Sequence, residues 1–234
     1  MTRRAGLALA AFLFLGLGAA LFQISRSRCH QLVGSAICRV ETNEKIVALT
    51  FDDGPTPGGV AAVRAALEPR GIRATFFLVG SDIARTPDLA HQLQMAGHEL
   101  GNHSFSHSRM IGRLPGFHTR EIAETDALLR KAGATPTLFR PPYGKRLIGL
   151  PIAVNRAGYR MITWDVDDGG LESGTAEAYA SAILKQVKPG SIILIHPMYS
   201  GNGSAREALP LILDGLAARG YRITTVSGLI SAAS

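Results

Sequence analysis

Two adjacent carboxylates are the first residues in this chain that could do chemistry. Asp52 and Asp53 follow the apolar run Ile46–Phe51 and precede Gly54-Pro55. Neighbouring carboxylates repel each other unless a cation or a base compensates their charge, and the Gly-Pro turn leaves both side chains where the run ends. The pattern indicates a metal-binding or acid–base pair, with a helix-capping turn as the alternative interpretation.

A pair of histidines could add nitrogen ligands. His103 and His107 are four positions apart, so they share one face if the segment is helical, and both can then reach one ion. Two neutral imidazoles and one carboxylate make a three-ligand zinc site with a position left open for water and substrate. Taken alone, the spacing also fits an incidental pair of histidines. The presence of Asp52 and Asp53 is what favours the metal-binding interpretation.

Two later segments supply groups that complete a hydrolytic site. In Arg140-Pro141-Pro142-Tyr143-Gly144 the consecutive prolines fix the backbone, so the Tyr143 N–H can be directed at a developing oxyanion. Arg140 can pair with a carboxylate. His196 ends an apolar run that starts at Ser191, and a histidine there can protonate a leaving amine. The alternatives are a proline-rich turn and a hydrogen-bonded histidine at a strand end.

From Lys45 onwards, short apolar runs alternate with longer periodic segments, which predicts a parallel sheet, open or closed into a barrel. The predicted strands are Ile46–Phe51, Ala74–Val79, His98–Asn102, Thr137–Arg140, Tyr159–Trp164, Ser191–His196 and Tyr221–Thr224. The predicted helices lie near 58–69, 87–96, 119–132, 147–157, 175–187 and 204–219.

The reactive residues share one place in this alternation, the carboxyl ends of the strands. In a (β/α) barrel these ends gather at one mouth, where active sites lie. The sequence therefore predicts one catalytic rim fed by five strands. Along the chain its members are Asp52 with Asp53, His103, Arg140, Asp165 and His196.

Four motifs, in this order, resemble a known family. They are Thr50-Phe51-Asp52-Asp53-Gly54-Pro55, His103-Ser104-x-x-His107, Arg140-Pro141-Pro142-Tyr143-Gly144 and Leu194-x-His196. Over roughly 45–230 the chain is similar to the polysaccharide deacetylases of carbohydrate esterase family 4, the NodB-homology domain. The resemblance implies an α/β fold, a distorted (β/α) barrel of about seven strands. It also implies a divalent metal, usually zinc, and removal of acetyl groups from N-acetylated sugars of the peptidoglycan or chitooligosaccharide type.

The resemblance assigns roles to the metal side of the site. Asp53, His103 and His107 match the metal ligands of the family. Asp52 matches the general base that activates water, and Arg140 matches the arginine that orients this base.

The resemblance also assigns roles to the substrate side. Tyr143 matches the oxyanion donor, and His196 matches the general acid. Leu194 matches a wall of the pocket for the acetyl methyl group, and Trp164 is expected to contact the substrate together with Tyr143 and Leu194.

One segment departs from the family's pattern. Where the family often has Trp-x-x-Asp-Ser-x-Asp-Trp, this chain has Gly170 and Leu171 at the positions of the second Asp and the final Trp. In the family that second Asp tunes the acid histidine, so the residue that orients His196 is left open. The nearby acids that could substitute for it are Asp165, Asp167 and Asp168.

Two other functions are also consistent with the altered 164–171 segment. The first is a membrane-tethered glycan-binding relic with impaired catalysis. The second is an O-acetyl polysaccharide esterase, because the same groups can attack an ester carbonyl.

The N-terminal sequence predicts export. Thr2-Arg3-Arg4 precedes an apolar run, 5–22, whose length lies between that of a signal peptide core and that of a membrane span. The arginines keep the N-terminus in the cytoplasm and send the rest across. We expect a signal peptide or membrane anchor over 1–22, a stalk or linker over 23–44, and a periplasmic or extracellular catalytic domain over 45–230. A buried N-terminal helix is the alternative.

Cys29 and Cys38 lie within the expected linker. In an oxidising compartment they can close a small loop, and two free thiols are the alternative. Neither cysteine lies near the histidines and aspartates in sequence, which argues against metal binding by them.

The basic charge does not indicate a nucleic-acid partner. The formal net charge is +7, but the first 40 residues hold five arginines and no acid, and the remainder carries 20 bases against 18 acids. This remainder has no basic run with interleaved aromatic residues. The expected partner is therefore an acetylated glycan, with a membrane as a further contact if the leader is kept and the oligomeric state left open.

Overall fold

A computed structural model describes residues 12–14, 16, 18–19, 22–24, 27–170 and 174–233. The described residues between 12 and 24 are helical. Within the described ranges, no helix is both long enough and apolar enough to cross a membrane. The predicted signal or anchor segment, 1–22, lies largely outside the described residues.

Parallel strands alternate with helices along the described chain. The strands are β1 (Ala36–Ile37), β2 (Ile46–Asp52), β3 (Thr75–Leu78), β4 (Glu99–Asn102), β5 (Leu138–Phe139), β6 (Arg160–Ile162), β7 (Ile192–Ile195) and β8 (Arg222–Thr224). The helices around them are α1 (Pro57–Leu67), α2 (Gly80–Arg85), α3 (Pro87–Met95), α4 (Pro115–Lys131), α5 (Gly149–Arg156), α6 (Ala176–Gln186), α7 (Gly203–Ala218) and α8 (Val226–Ala232). Short 3-10 turns occur at Glu68–Arg70 and Pro142–Gly144.

The strands form one curled sheet that closes on itself. Their order is β1-β6-β5-β4-β3-β2-β7, with β8 beside the first half of β2, and every strand pair is parallel. Closure comes just after β6, where Val166 pairs with Ile193 of β7. The predicted distorted (β/α) barrel is thereby confirmed.

Side-chain alternation along β2 separates the helix-facing core from the barrel interior. Val47, Leu49 and Phe51 pack against the helices, whereas Ile46 and Ala48 belong to the interior cluster. Successive residues of a strand point to opposite faces, so the inward face continues to the reactive residues at the strand's end. Because both faces are covered, every residue of β2 is buried.

Helix α8 closes the base of the barrel, where the strands begin. Val226 and Leu229 pack into the interior cluster with Ile46. The Val226 N–H donates to Oγ1 of Thr75 at the start of β3, with 2.8 Å between N and O. The mouth at the other end is therefore the open end of the barrel.

The segment expected to be a linker contributes to the sheet. Ala36–Ile37 forms β1 and pairs with β6, and Cys29 is joined to Cys38 by a disulfide. The carbonyl oxygen of Arg28 accepts a hydrogen bond of 2.7 Å from Oγ1 of Thr163, one residue beyond β6. Arg28, near the N-terminal end of the domain, therefore lies at the mouth of the barrel.

Candidate metal centre and active site

The structure brings the predicted reactive residues other than Asp165 to the mouth, each at or directly after the end of a strand. The Asp165 carboxylate lies instead against Ser191 and Ile192 at the start of β7. Asp52 is the last residue of β2 and Asp53 follows it, while His103 follows β4. Arg140 follows β5 and His196 follows β7. Because the strands are parallel, these ends meet at one rim, as expected.

Asp53 is held where β2 leaves the sheet. Its N–H donates to the carbonyl of Phe77 on β3, at 3.1 Å, and its φ of 76° lies in the left-handed region. The cap of α1 is Thr56, whose side chain accepts from the Gly59 N–H. The capping alternative for the aspartate pair therefore does not hold, and the Asp53 carboxylate does not serve the helix.

His103 is oriented by a backbone carbonyl. Its Nδ1 lies 2.8 Å from the carbonyl oxygen of Arg140. Because a carbonyl can only accept, Nδ1 carries the proton and Nε2 carries the lone pair. That Nε2 lies 3.9 Å from Oδ1 of Asp53. A histidine fixed in this way through its other nitrogen is the usual arrangement of a metal ligand.

His107 completes the group, but the segment that carries it is a loop. Ser104 and His107 have φ values of 64° and 53°, so a left-handed backbone, and not a shared helix face, turns the two imidazoles toward each other. Nε2 of His107 lies 3.4 Å from Oδ1 of Asp53. Burial, followed by the charge of His103, lowers the pKa of His107, which favours the neutral ring.

Glu121 holds this loop and was not singled out by the sequence. Its carboxylate accepts from the N–H groups of Phe105 and Ser106, at 3.0 and 2.8 Å, and from the Ser106 hydroxyl at 2.9 Å. The sequence did contain a signal for this role, an acid among the buried positions of a helix. Glu121 is buried on α4 with His118, Ile122 and Thr125. An acid on the apolar face of a helix needs a partner.

A divalent ion suits the donors at the mouth. Among the described residues, one carboxylate oxygen and two imidazole nitrogens, from Asp53, His103 and His107, all lie within 4.8 Å of one another. Oδ1 of Asp53 is buried without a hydrogen bond to the described residues. Ligands in a tetrahedral zinc site lie about 3.4 Å apart, close to the 3.4 Å between Asp53 and His107. The residues present therefore fit a zinc-like ion.

Asp52 forms a buried ion pair with Arg140. Nη1 of Arg140 donates to Oδ1 of Asp52 at 2.7 Å, and neither side chain is appreciably exposed. Burial raises the pKa of the Asp52 carboxyl, but Arg140, followed by His103 and His196, outweighs it and holds that pKa below its usual range. The carboxylate is thus ionised, and its Oδ2 lies 3.6 Å from Nε2 of His103.

Arg140 is immobilised from several sides. Nη1 also donates to Oγ1 of Thr50, at 2.7 Å, and Nη2 donates to the carbonyl of Thr163, at 2.9 Å. The guanidinium stacks on the ring of Phe77, with 4.1 Å to its centroid. The charge opposite Asp52 is therefore fixed in place.

Tyr143 and Trp164 form one wall of the mouth. Tyr143 is 53% exposed, has φ 58°, and its ring centroid lies 4.8 Å from that of His107. Trp164 is partly buried and its Nε1 donates to Oδ2 of Asp167 at 2.9 Å. Leu194 is buried in β7 opposite Thr50, which places it just below the rim.

His196 lies at the mouth without a carboxylate partner among the described residues. No acid of the described ranges forms an ion pair with its ring within 4.0 Å. The His196 ring lowers the pKa of Asp52 through its charge and not through a hydrogen bond. Its backbone carbonyl accepts from the side chain of Asn202 at 2.7 Å.

The three acids that were candidates to orient His196 have other partners. Asp165 accepts from Ser191 and Ile192, at 2.8 and 2.9 Å, and so helps to close the barrel. Asp167 bonds Trp164, and Asp168 accepts from the Gly170 N–H at 2.8 Å. None of the three is found to orient His196.

Fold and site together define a class, the (β/α)-barrel hydrolases with an Asp-His-His group and an ionised aspartate at the mouth. The family model for polysaccharide deacetylase matches residues 39–162. The chain belongs to the polysaccharide deacetylase family, as its motifs predicted.

Named relatives lie at about one-third identity. A peptidoglycan-N-acetylglucosamine deacetylase of Bacillus cereus is 33% identical over 199 residues, covering 84% of this chain and 93% of the relative. A chitooligosaccharide deacetylase of Azorhizobium caulinodans is 30% identical over 198 residues, covering 79% and 94%. The structure of the peptidoglycan deacetylase PdaC from Bacillus subtilis superposes with a TM-score of 0.73 at 32% identity, covering 82% and 93%.

Proposed function

We propose that this protein is a metal-dependent deacetylase that removes acetyl groups from an N-acetylated glycan of the peptidoglycan or chitooligosaccharide type. The observation that carries the proposal is the convergence of Asp53, His103 and His107 beside the ionised Asp52 at one barrel mouth. The three named relatives, whose names describe deacetylases of such glycans, support the substrate class.

The metal side of the site activates water. Asp53, His103 and His107 would hold the ion, which when bound lowers the pKa of water to about 7 and polarises a carbonyl. Asp52 accepts the proton of the attacking water, and Arg140 keeps this base ionised and oriented. The three-ligand set is typical of catalytic zinc sites, and zinc is therefore the metal that we propose.

The substrate side stabilises the developing charge and releases the amine. The Tyr143 N–H donates to the oxyanion that forms on the acetyl carbonyl. Leu194 limits the space for the acetyl methyl group, and Trp164 and Tyr143 contact the sugar. His196 donates a proton to the departing amine nitrogen.

Acetate release tests the proposal directly. Metal-free protein supplied with zinc or cobalt is expected to release acetate from N-acetylglucosamine oligomers or peptidoglycan, and Asp52→Asn is expected to abolish this release. Acetyl xylan in parallel tests the O-acetyl esterase alternative. Absence of acetate from all N-acetylated substrates with either metal would refute the proposal.

A second function is favoured because His196 has no acid partner in the described ranges. Gly170 stands where the family often has the aspartate that tunes this histidine. The second function is that of a glycan-binding protein that has lost turnover. Binding of glycan without acetate release, unchanged by Asp52→Asn, would support this second function and contradict the first.

We also propose that the domain works outside the cytoplasm, as an exported or membrane-tethered protein. The apolar run 5–22 behind its arginines supports export, and the Cys29–Cys38 disulfide supports an oxidising compartment. Cell fractionation with thiol labelling tests this, because cytoplasmic protein with two reactive thiols would contradict it.

A further inference from the structure

The N-terminal loop closed by the disulfide has a place in the site that its sequence did not indicate. This disulfide loop, residues 27–38, consists of the ring closed by Cys29 and Cys38 and the two residues before it. It precedes the segment that matches the family, which begins at residue 39. We propose, resting on the deacetylase function above, that the disulfide loop acts through Arg146 to position the Tyr143 peptide. Arg146 is then a positioning residue for the oxyanion donor.

Arg146 is a buried cation that depends on the disulfide loop. It is 1% exposed and forms no ion pair with the described residues. Nε donates to Oε1 of Gln31 at 2.9 Å, and Nη2 donates to the carbonyls of Arg28 and His30, at 2.8 and 3.4 Å. Burial lowers its pKa to about 10, so it stays charged at neutral pH. Because burying an unpaired charge is costly, these acceptors are what keep the guanidinium in place.

The remaining nitrogen of Arg146 holds the Gly144–Lys145 peptide, in the same tight turn as the Tyr143 N–H and two peptide units after it. Nη1 donates to the carbonyl of Gly144 at 2.8 Å. On its other side, Gly144 faces Trp164, since a Cβ at Gly144 would lie 3.0 Å from that ring. The turn that presents the Tyr143 N–H is thus held between Arg146 and Trp164.

The disulfide loop also fixes Trp164. The Arg28 guanidinium lies 2.6 Å from Oδ2 of Asp167, the same oxygen that accepts from Nε1 of Trp164. Its charge lies 5.8 Å from the centroid of the Trp164 rings. One loop therefore fixes both partners of Gly144, Arg146 directly and Trp164 through Asp167.

Loss of this support has a distinct kinetic signature. An oxyanion donor acts mainly in the transition state, so its misplacement lowers kcat more than it changes KM. The contacts of the disulfide loop described above involve none of the three residues that would hold the metal. Metal binding is therefore expected to survive.

The test compares three changes in the full chain. They are the pair Cys29→Ser with Cys38→Ser, the single Arg146→Gln, and all three together. Acetate release from N-acetylglucosamine oligomers gives kcat and KM, elemental analysis gives bound zinc, and hydrogen exchange measures protection of amides 143–145. Arg70→Ala is the matched control, because it removes an arginine that bonds Asp214 on the surface at 2.9 Å.

The expected result is a fall in kcat of about tenfold or more, since loss of one oxyanion donor costs about 100- to 1,000-fold. KM and bound zinc change little, and protection at 143–145 falls. The combined variant loses less than the product of the separate effects, because both changes break one chain of contacts. The Gln31→Ala variant, which removes one hydrogen bond, shows a smaller change in the same direction and serves if Arg146→Gln does not fold.

Unchanged kcat and unchanged protection in folded protein without the disulfide would overturn the proposal. So would a loss of kcat that follows loss of zinc. If the wild-type protein releases no acetate, the proposed function fails, but the exchange at 143–145 still tests whether the disulfide loop holds this turn.

Discussion

The carboxylate of Glu121 accepts a 2.8 Å hydrogen bond from the N–H of Ser106, the residue directly before His107. This contact ties a buried position of α4 to a loop in which Ser104 and His107 both have positive φ. Left-handed backbone costs about 1–2 kcal/mol at a residue other than glycine. The hydrogen bonds to Glu121 offset that cost and keep the His107 imidazole turned toward Asp53.

Glu121→Gln is expected to weaken zinc binding by about tenfold, because it loosens the backbone directly before His107. This is the low end of the cost of about 10- to 100-fold for losing a direct outer partner of a metal ligand, since Glu121 acts on His107 through the loop. The amide offers one acceptor oxygen where the carboxylate serves three donors. Calorimetric titration of metal-free protein measures the effect. Glu124→Gln, on the exposed side of the same helix, is the control, and equal affinities for both variants would contradict the expectation.

Gly59→Ala is expected to disturb the loop after His196. A Cβ at Gly59 would lie 2.6 Å from Cα and 2.8 Å from the carbonyl oxygen of Met198, both backbone atoms that cannot swing aside. Thermal or urea unfolding is expected to show a loss of about 1–3 kcal/mol, together with a lower kcat.

The neighbouring glycine provides the control for this change. At Gly58 the nearest atom to an added Cβ is Nη1 of Arg206, at 3.7 Å. Gly58→Ala is therefore expected to leave stability unchanged or to raise it by up to about 1 kcal/mol. Equal losses in the two variants would refute the steric explanation.

Arg140→Met is expected to lower the free energy of unfolding of metal-free protein by about 3–5 kcal/mol, because it leaves Asp52 as a buried charge without compensation. Adding Asp52→Asn removes that charge and is expected to restore part of the loss. Urea denaturation of the wild type, both single variants and the double variant at pH 7 measures this. A double variant as unstable as the sum of the singles would contradict the ion-pair argument.

The stability of the domain is expected to fall in mild acid because of His98. This buried ring accepts from the Ala74 N–H at 3.3 Å, and burial lowers its pKa from 6.5 to about 4. Between those values the unfolded chain binds more protons than the folded one, so the free energy of unfolding decreases as pH falls from 6.5 toward 4. The wild type is expected to lose about 2–3 kcal/mol over this range.

His98→Gln separates this contribution from those of other titrating groups. The variant is expected to have a flatter dependence of stability on pH in the same window, measured by urea unfolding at several pH values. An identical slope in both proteins would assign the acid sensitivity elsewhere.

Periodicity predicted most of the barrel because its strands are short, apolar and separated by amphipathic helices. Each of the seven predicted strands corresponds to an observed one, from β2, predicted at Ile46–Phe51 and found at Ile46–Asp52, to β8. Helix α3 was predicted at 87–96 and is found at Pro87–Met95. Such elements carry enough residues for a period to show.

The elements that were missed carry too few residues for a period. Strand β1 has two residues and α2 has six, so neither repeats a pattern. Helix α8 has seven residues and lies directly after the last predicted strand. Their formation depends on tertiary contacts, such as the pairing of β1 with β6, which local sequence does not encode.

The site was predicted by residue type and position more than by local geometry. Strand ends placed Asp52, Asp53 and His103 correctly at the rim, but the histidine pair meets through left-handed loop residues and not on a helix face. The contact of Arg146 with Gln31 joins residues 115 positions apart. No spacing rule reaches that far, which is why the sequence predicted a linker where the disulfide loop lies.

The two ends of the described domain lie at opposite poles of the barrel. Arg28 contacts Thr163 and Asp167 at the mouth, whereas Val226 contacts Thr75 at the base. Arg28 lies six positions after Phe22, a span of at most about 20 Å. In the tethered form that we propose, the catalytic mouth of the domain would therefore face the lipid. The mouth would reach glycan strands that are close to the bilayer and would point away from more distant glycan.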